Sequence, residues 1–223
     1  MRLVPALFAL GRVSLPWLLR HRLGTQGALV TAVLLTISPL YTTVARTAGG
    51  QSIALFSLLL LFIAFIRYQE TAATRWLYTL FIALGLGFTA SSLFYAGFVT
   101  LLLAWFVHSR LGLSLFVSGW QVRPTETNWR KGTAVGLFSS AFTLLPSGIG
   151  ASARLFGEWI QQFGGPLSVD ALLAFARYEP VLLILGLISL GWAIFRNHPL
   201  ALLAVYWFSG GVLMLFLQRA ILE

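Results

Sequence analysis

Long apolar runs follow one another along the whole chain, and single basic residues stand between them where a soluble protein would have polar surface. A helix needs about 20 mostly apolar residues to cross a bilayer, with about 17 as a practical minimum. The runs lack the alternating polarity of a barrel strand. In lipid, only helices and closed barrels satisfy their own backbone. The chain is therefore expected to be all-α: one polytopic transmembrane helix bundle over residues 1–223. About eight spans are expected, at 3–19, 28–45, 51–66, 76–89, 92–107, 132–146, 180–195 and 200–217. Residues 76–107 form one stretch too long for a single span, and the polar patch Thr89-Ala90-Ser91-Ser92 is its expected turn.

Composition bears on what such a chain can do. Charged residues make up 9% of it, against about 25% in soluble domains, so it cannot clothe a globular surface in polar groups. The net charge of +9 is no sign of nucleic acid, because the basic residues are dispersed singly and form no stripe. Cysteine is absent and the three histidines are isolated, so no metal site is expected. No phosphate-binding loop, dinucleotide fingerprint or zinc-protease motif is present.

The basic residues set an orientation. With Arg20-His21-Arg22 inside, alternation places Arg67, Arg75, Arg110, Arg123, Arg130, Lys131 and Arg196 inside as well. Arg2, Arg46, Arg154, Arg177 and Arg219 then lie outside, and the bias follows the positive-inside rule. This orientation puts Met1 outside without a signal peptide, and the chain ends directly after an apolar run. Both features lead to the expectation of a fragment of a longer protein. The outer loop, residues 147–178, is expected to carry an amphipathic helix lying on the membrane surface. Leu155, Phe156, Trp159, Ile160 and Phe163 form one face of it, opposite Arg154, Glu158, Gln161 and Gln162.

Few residues offer chemistry. Arg46, just outside the second span, could clamp a lipid phosphate bidentately, or simply extend to ordinary headgroups. Arg12 lies in mid-span, where an unpaired arginine costs about 2.5–3.5 kcal/mol; it must face the bundle and find a carbonyl, hydroxyl or anion, or else lie shallower. The loop holding Gly148, Gly150 and Ser152 precedes a helix, and its amides could hold a phosphate; alternatively it is a turn with Ser152 as helix cap. Glu158 and Asp170 could each act as a general base, or could serve as an ion-pair partner of Arg154 and a helix-start charge respectively. Tyr178-Glu179-Pro180 reads as a helix start. Gly87, Gly210 and Gly211 read as close-packing positions.

Two stretches carry a family resemblance. The first is Arg2-Leu3-Val4-Pro5-Ala6-Leu7-Phe8 with Pro16-Trp17-Leu18-Leu19-Arg20-His21-Arg22-Leu23-Gly24, followed by Ile37-Ser38-Pro39, Tyr41 and Arg46. The second is Phe138-Ser139-Ser140-Ala141-Phe142-Thr143 with the later Tyr178-Glu179. Together they resemble the GT-C superfamily of membrane glycosyltransferases related to protein mannosyltransferases and lipid A aminoarabinose transferase. The resemblance implies a protein of the cell membrane that transfers a sugar from a polyprenyl-phosphate carrier to an acceptor on the outer side. It carries Arg46 over as a possible phosphate contact. The catalytic carboxylate of such enzymes stands in an outer loop after their first helix, and this chain has no acidic residue before Glu70, so no catalytic residue is assigned in it. A multi-pass transporter or lipid flippase subunit is the alternative, and a non-catalytic scaffold a further one.

Overall fold

A computed structural model describes residues 3–46, 50–110, 131, 147–163, 173, 176–196 and 199–217. The described chain is helical, with no strand. In order come α1 (Leu3–Ser14), a 3-10 segment (Leu15–Leu19), α2 (Arg20–Ile37), α3 (Pro39–Arg46), α4 (Gln51–Thr71), α5 (Thr74–Phe88) and α6 (Ser92–Arg110). Then follow α7 (Ser147–Gln161), α8 (Pro180–Arg196) and α9 (Pro199–Leu217). Two helical stretches, Leu3–Ile37 and Gln51–Thr71, are long and apolar enough to cross a membrane; Thr74–Phe88, Ser92–Val107 and Leu202–Met214 are shorter apolar helices. The expected span at 132–146 lies outside the described residues.

The residues divide into two compact units, one of Met1–Tyr95 with Gly119–Gly157, the other of Ala96–Ser118 with Glu158–Glu223. In the first, α4 is the central helix. Its buried residues, from Ser52 through Leu58, Leu61, Phe62, Ile63, Ala64 and Ile66 to Tyr68, lie on every side of it, as expected of a helix apolar all round. Helix α1 runs parallel to α4. The Ser52 hydroxyl donates to the Pro5 carbonyl at 3.1 Å, and one turn on, Phe8 meets Phe56 edge to face at 5.1 Å. Farther along, Arg22 meets Glu70.

Chain reversals fall where backbone chemistry allows them. Gly24 has φ +72° and ψ 164°, a conformation that glycine adopts without strain, and α2 turns back from there toward α3. The reversal thus comes after the Arg20-His21-Arg22 segment, which is itself helical. The expected single helix at 28–45 is broken. The residue before a proline is driven out of the helical region, and Ser38, ahead of Pro39, has ψ 121° and ends α2. Helix α4 ends at Ala72 in the left-handed conformation, which swings the chain into α5.

Alongside a buried apolar core, many large apolar side chains are exposed on the helices and a few polar ones are buried. Leu3, Leu7 and Leu10 of α1, Leu29, Val30, Val33 and Ile37 of α2, and Val181, Ile184, Leu187, Ile188 and Phe195 of α8 are exposed, whereas Arg12, Ser38, Ser52, Ser57 and Thr100 are buried. In the second unit, the Trp207 indole N–H reaches the Gly97 carbonyl and the Thr100 hydroxyl, both at 3.2 Å. That bond gives the ring's polar edge a partner among apolar helices.

Between α5 and α6 the chain turns at Thr89 and Ala90, and the fully buried Phe94 ring packs against Gly87 at the end of α5. A Cβ on Gly87 would stand 2.0–2.3 Å from that ring, and one on Gly50 would stand 1.8 Å from the Ala90 carbonyl oxygen. Overpacking of this kind costs about 1–3 kcal/mol. Gly87→Ala is expected to lower the unfolding midpoint of the detergent-solubilised chain. Adding Phe94→Leu should recover part of that loss, since contacting sites couple. Additive losses in the double variant would show that ring contact is not what requires glycine here.

Candidate functional site

The most unusual side chain is Arg12. It is 3% exposed, in the last turn of α1. Its guanidinium carbon stacks 4.3 Å from the centre of the Tyr41 ring, and its Nη2 donates one long bond, 3.4 Å, to the Tyr41 carbonyl. Its Nε and Nη1 are buried with no hydrogen-bond partner among the described residues. A guanidinium carries five N–H donors and stays protonated, so a single partner leaves most of its demand unmet. Ring stacking recovers about 2 kcal/mol or somewhat more at a desolvated site, less than an unpaired buried cation costs.

Tyr41 is in reach because α2 breaks. After Ser38, the chain restarts as the short helix α3. The buried Ser38 side chain accepts from the Tyr41 backbone N–H at 3.3 Å, and the Ser38 carbonyl accepts from the Thr42 N–H at 3.1 Å. Serine is a favoured N-terminal cap for this reason. The positive end of the α3 dipole and a buried cation thus belong to the same part of the unit, with no anionic side chain between them. Among the described residues of this unit Glu70 is the only carboxylate. It stands about 21 Å along α4 from Phe56, which packs near Gly11, taking about 1.5 Å per residue.

Of the residues singled out in the sequence, Arg46 closes α3, five residues beyond Tyr41, and its side chain lies outside the described set. Gly148, Gly150 and Ser152 do not form a loop ahead of a helix: α7 already begins at Ser147, so all three lie within it. The helix runs through them although glycine is a poor helix former, because Ala151, Ser152 and Ala153 follow directly and α7 packs on Tyr95. Tyr95 donates to the Ser152 carbonyl at 3.1 Å and its ring stands 5.6 Å from that of Phe156. Ser152 is therefore no cap, and its side chain is buried. Glu158 is exposed on α7. Asp170 lies outside the described residues. Glu179 stands just ahead of α8, which starts at Pro180, and its carbonyl accepts from the Leu183 N–H at 3.0 Å. The structure brings Arg12 and the Arg46-bearing helix together.

Sequence reading missed the part played by Glu70. At the end of the unit opposite Gly50, its Oε2 lies 2.8 Å from His21 Nε2 and 3.7 Å from Arg67 Nη1, while Arg22 Nε–H donates to its Oε1. The Arg67 and Arg75 guanidinium groups both lie near the Trp76 ring, 5.7 and 5.8 Å from its centre. One carboxylate thus ties the start of α2 to the last turn of α4. The sequence signal was available: Glu70 is the first acidic residue in a chain whose nearby loops are basic.

Such a chain is, among its described residues, an all-α protein with exposed apolar side chains, a buried cation at a helix break and a basic cluster at one end of its first unit. No protein-family model, curated protein or solved structure matches the chain.

Removing the Glu70 carboxylate leaves Arg22, Arg67 and His21 facing one another. Glu70→Ala is expected to lower the unfolding midpoint, more so at low salt, where repulsion is less screened. In a double-mutant cycle with Arg22→Ala, the two sites should couple by about 0.5–3 kcal/mol. A coupling indistinguishable from zero would make the clasp incidental.

Proposed function

We propose that the chain is a polytopic protein of the cell membrane, and a GT-C-type glycosyltransferase or part of one. In this reading it handles a sugar carried on polyprenyl phosphate at the outer face. The observation that carries it is the break at Ser38-Pro39, which sets α3 apart as a short helix ending in Arg46. The same Ser-Pro, aromatic, arginine sequence bears the family resemblance. Lipid-facing leucines around buried polar groups support the membrane setting. The basic cluster of Arg20, Arg22, Arg67 and Arg75 at one end of the first unit fits a cytoplasmic face, which puts Arg46 outside.

The chemistry of this reading is displacement at the sugar's anomeric carbon. An acceptor hydroxyl loses its proton to a general base and forms the new bond; the bond from anomeric carbon to phosphate oxygen breaks, and polyprenyl phosphate leaves. Arg46 stabilises the charge that gathers on the departing phosphate. No residue of this chain is assigned the part of base.

Reporter fusions at residues 46 and 72 are expected to place them on opposite sides of the membrane, with 46 outside. A cytosolic position for residue 46 would end this reading. In membranes holding the intact protein, Arg46→Ala should cut transfer from a polyprenyl-phosphate-linked sugar by about 10²–10³-fold, as loss of one oxyanion donor does, without releasing the protein from the membrane. Unchanged transfer removes Arg46 from the mechanism.

A second reading, a multi-pass transporter or lipid flippase subunit, is supported by the same helix break, because interrupted helices beside a charged group mark many transporter sites. Lipid movement in proteoliposomes without any sugar transfer would select it.

A further inference from the structure

We propose that Arg12 is a buried binding site for a phosphate group, held under Tyr41 at the break between α2 and α3. The inference rests on the membrane setting proposed above but not on glycosyl transfer, and it is separate from the suggested role of Arg46.

The argument is one of unmet demand. Arg12 is buried, always charged, and has Nε and Nη1 without partners among the described residues. Glu70 cannot neutralise it: both its oxygens are engaged by His21, Arg22 and Arg67 at the other end of the unit. A buried charge is tolerated when it is paired, and what Arg12 lacks is an acceptor with negative charge and several oxygens. Phosphate fits that description: it matches the planar guanidinium fork and offers oxygens to more than one donor.

The position suits an anion arriving from the lipid–water boundary. Side chains on a helix lean toward its N-terminus, so Arg12 leans toward Leu3, and its guanidinium meets Tyr41 rather than the 3-10 segment that follows α1. Tyr41 is five residues short of Arg46, roughly 7.5 Å at about 1.5 Å per residue. The site is thus about a turn and a half below the end of α3, within the reach of a headgroup drawn slightly inward. The aromatic face supplies a wall against the cation, and the α3 N-terminus adds a favourable dipole.

Two sources share this chemistry, the phosphodiester of a membrane lipid and free phosphate. The test is to purify the full chain in mild detergent, wash it free of loosely held lipid, and measure phosphorus per chain after acid digestion. The organic and aqueous extracts are assayed apart. The wild type is expected to retain about one phosphorus per chain and Arg12→Gln at least tenfold less, with the exposed Arg110→Gln as a control that keeps it. Phosphorus in the organic extract names a lipid, and in the aqueous extract free phosphate. Should Arg12→Gln not fold, the wild type decides. Dioleoylphosphatidylglycerol, or sodium phosphate set against chloride at equal ionic strength, should raise its unfolding midpoint, because a ligand that binds only the folded state stabilises it. Equal phosphorus in wild type and Arg12→Gln overturns the proposal. So does a wild type that holds none and is stabilised by neither compound. Because the readout is bound phosphorus, loss of sugar transfer elsewhere leaves this result unaffected, and the reverse also holds.

Discussion

A guanidinium cannot be both charged and dry without a partner, and Arg12 makes that problem the centre of the first unit. Stacking on Tyr41 and one long bond to its carbonyl lessen the cost without removing it. Both contacts come from α3, which is within reach only because Ser38 leaves the helical conformation ahead of Pro39. A straight helix through residues 28–45 would carry Tyr41 along the α2 axis instead of folding it over Arg12. The helix break, its serine cap and the buried cation therefore form one physical arrangement. A sequence change at any of them is felt at the other two.

What holds that arrangement steady is the way α1 lies along α4. Small groups meet where the helices touch: Gly11 against the Phe56 ring, and Ser52 against the Pro5 carbonyl. At the far end, Glu70 draws in His21 and Arg22. The unit is thus pinned at both ends by polar contacts and filled between by apolar ones. Water adds no hydrophobic drive between helices in lipid, so close packing and hydrogen bonds decide association there. The glycine contacts at Gly50 and Gly87 belong to the same economy of close approach.

Much of the fold was legible, and the misses have physical causes. Apolar run length placed α4, the α5–α6 pair, α8 and α9, the polar patch from Thr89 placed the turn between α5 and α6, and Glu179-Pro180 placed the start of α8. Pro39 was visible, but its effect on Ser38 was not drawn into a helix break. The glycines at 148 and 150 were read as a loop because glycine is a poor helix former; packing of Tyr95 against Ser152 and Phe156 of α7 outweighs that local preference. The clasp on Glu70 was legible in the charges and illegible in the pairing, since it joins residues 48 and 49 positions apart.

The site shows the same division. Arg12 and Arg46 stand out in the sequence for opposite reasons, one for being in the wrong place and one for matching a family pattern. Neither reason joins them. The backbone does so: α3 is eight residues long, begins against the buried cation and ends at the second one. A short helix with a cation at each end has its own dipole positive toward Arg12 and negative toward Arg46. The peptide dipoles therefore reinforce the positive potential at the Arg12 end of α3 and offset it at the Arg46 end. In the proposed membrane setting, an anion moving along α3 from the Arg46 end toward Arg12 would meet dipoles that favour it increasingly, against the barrier that bare lipid presents.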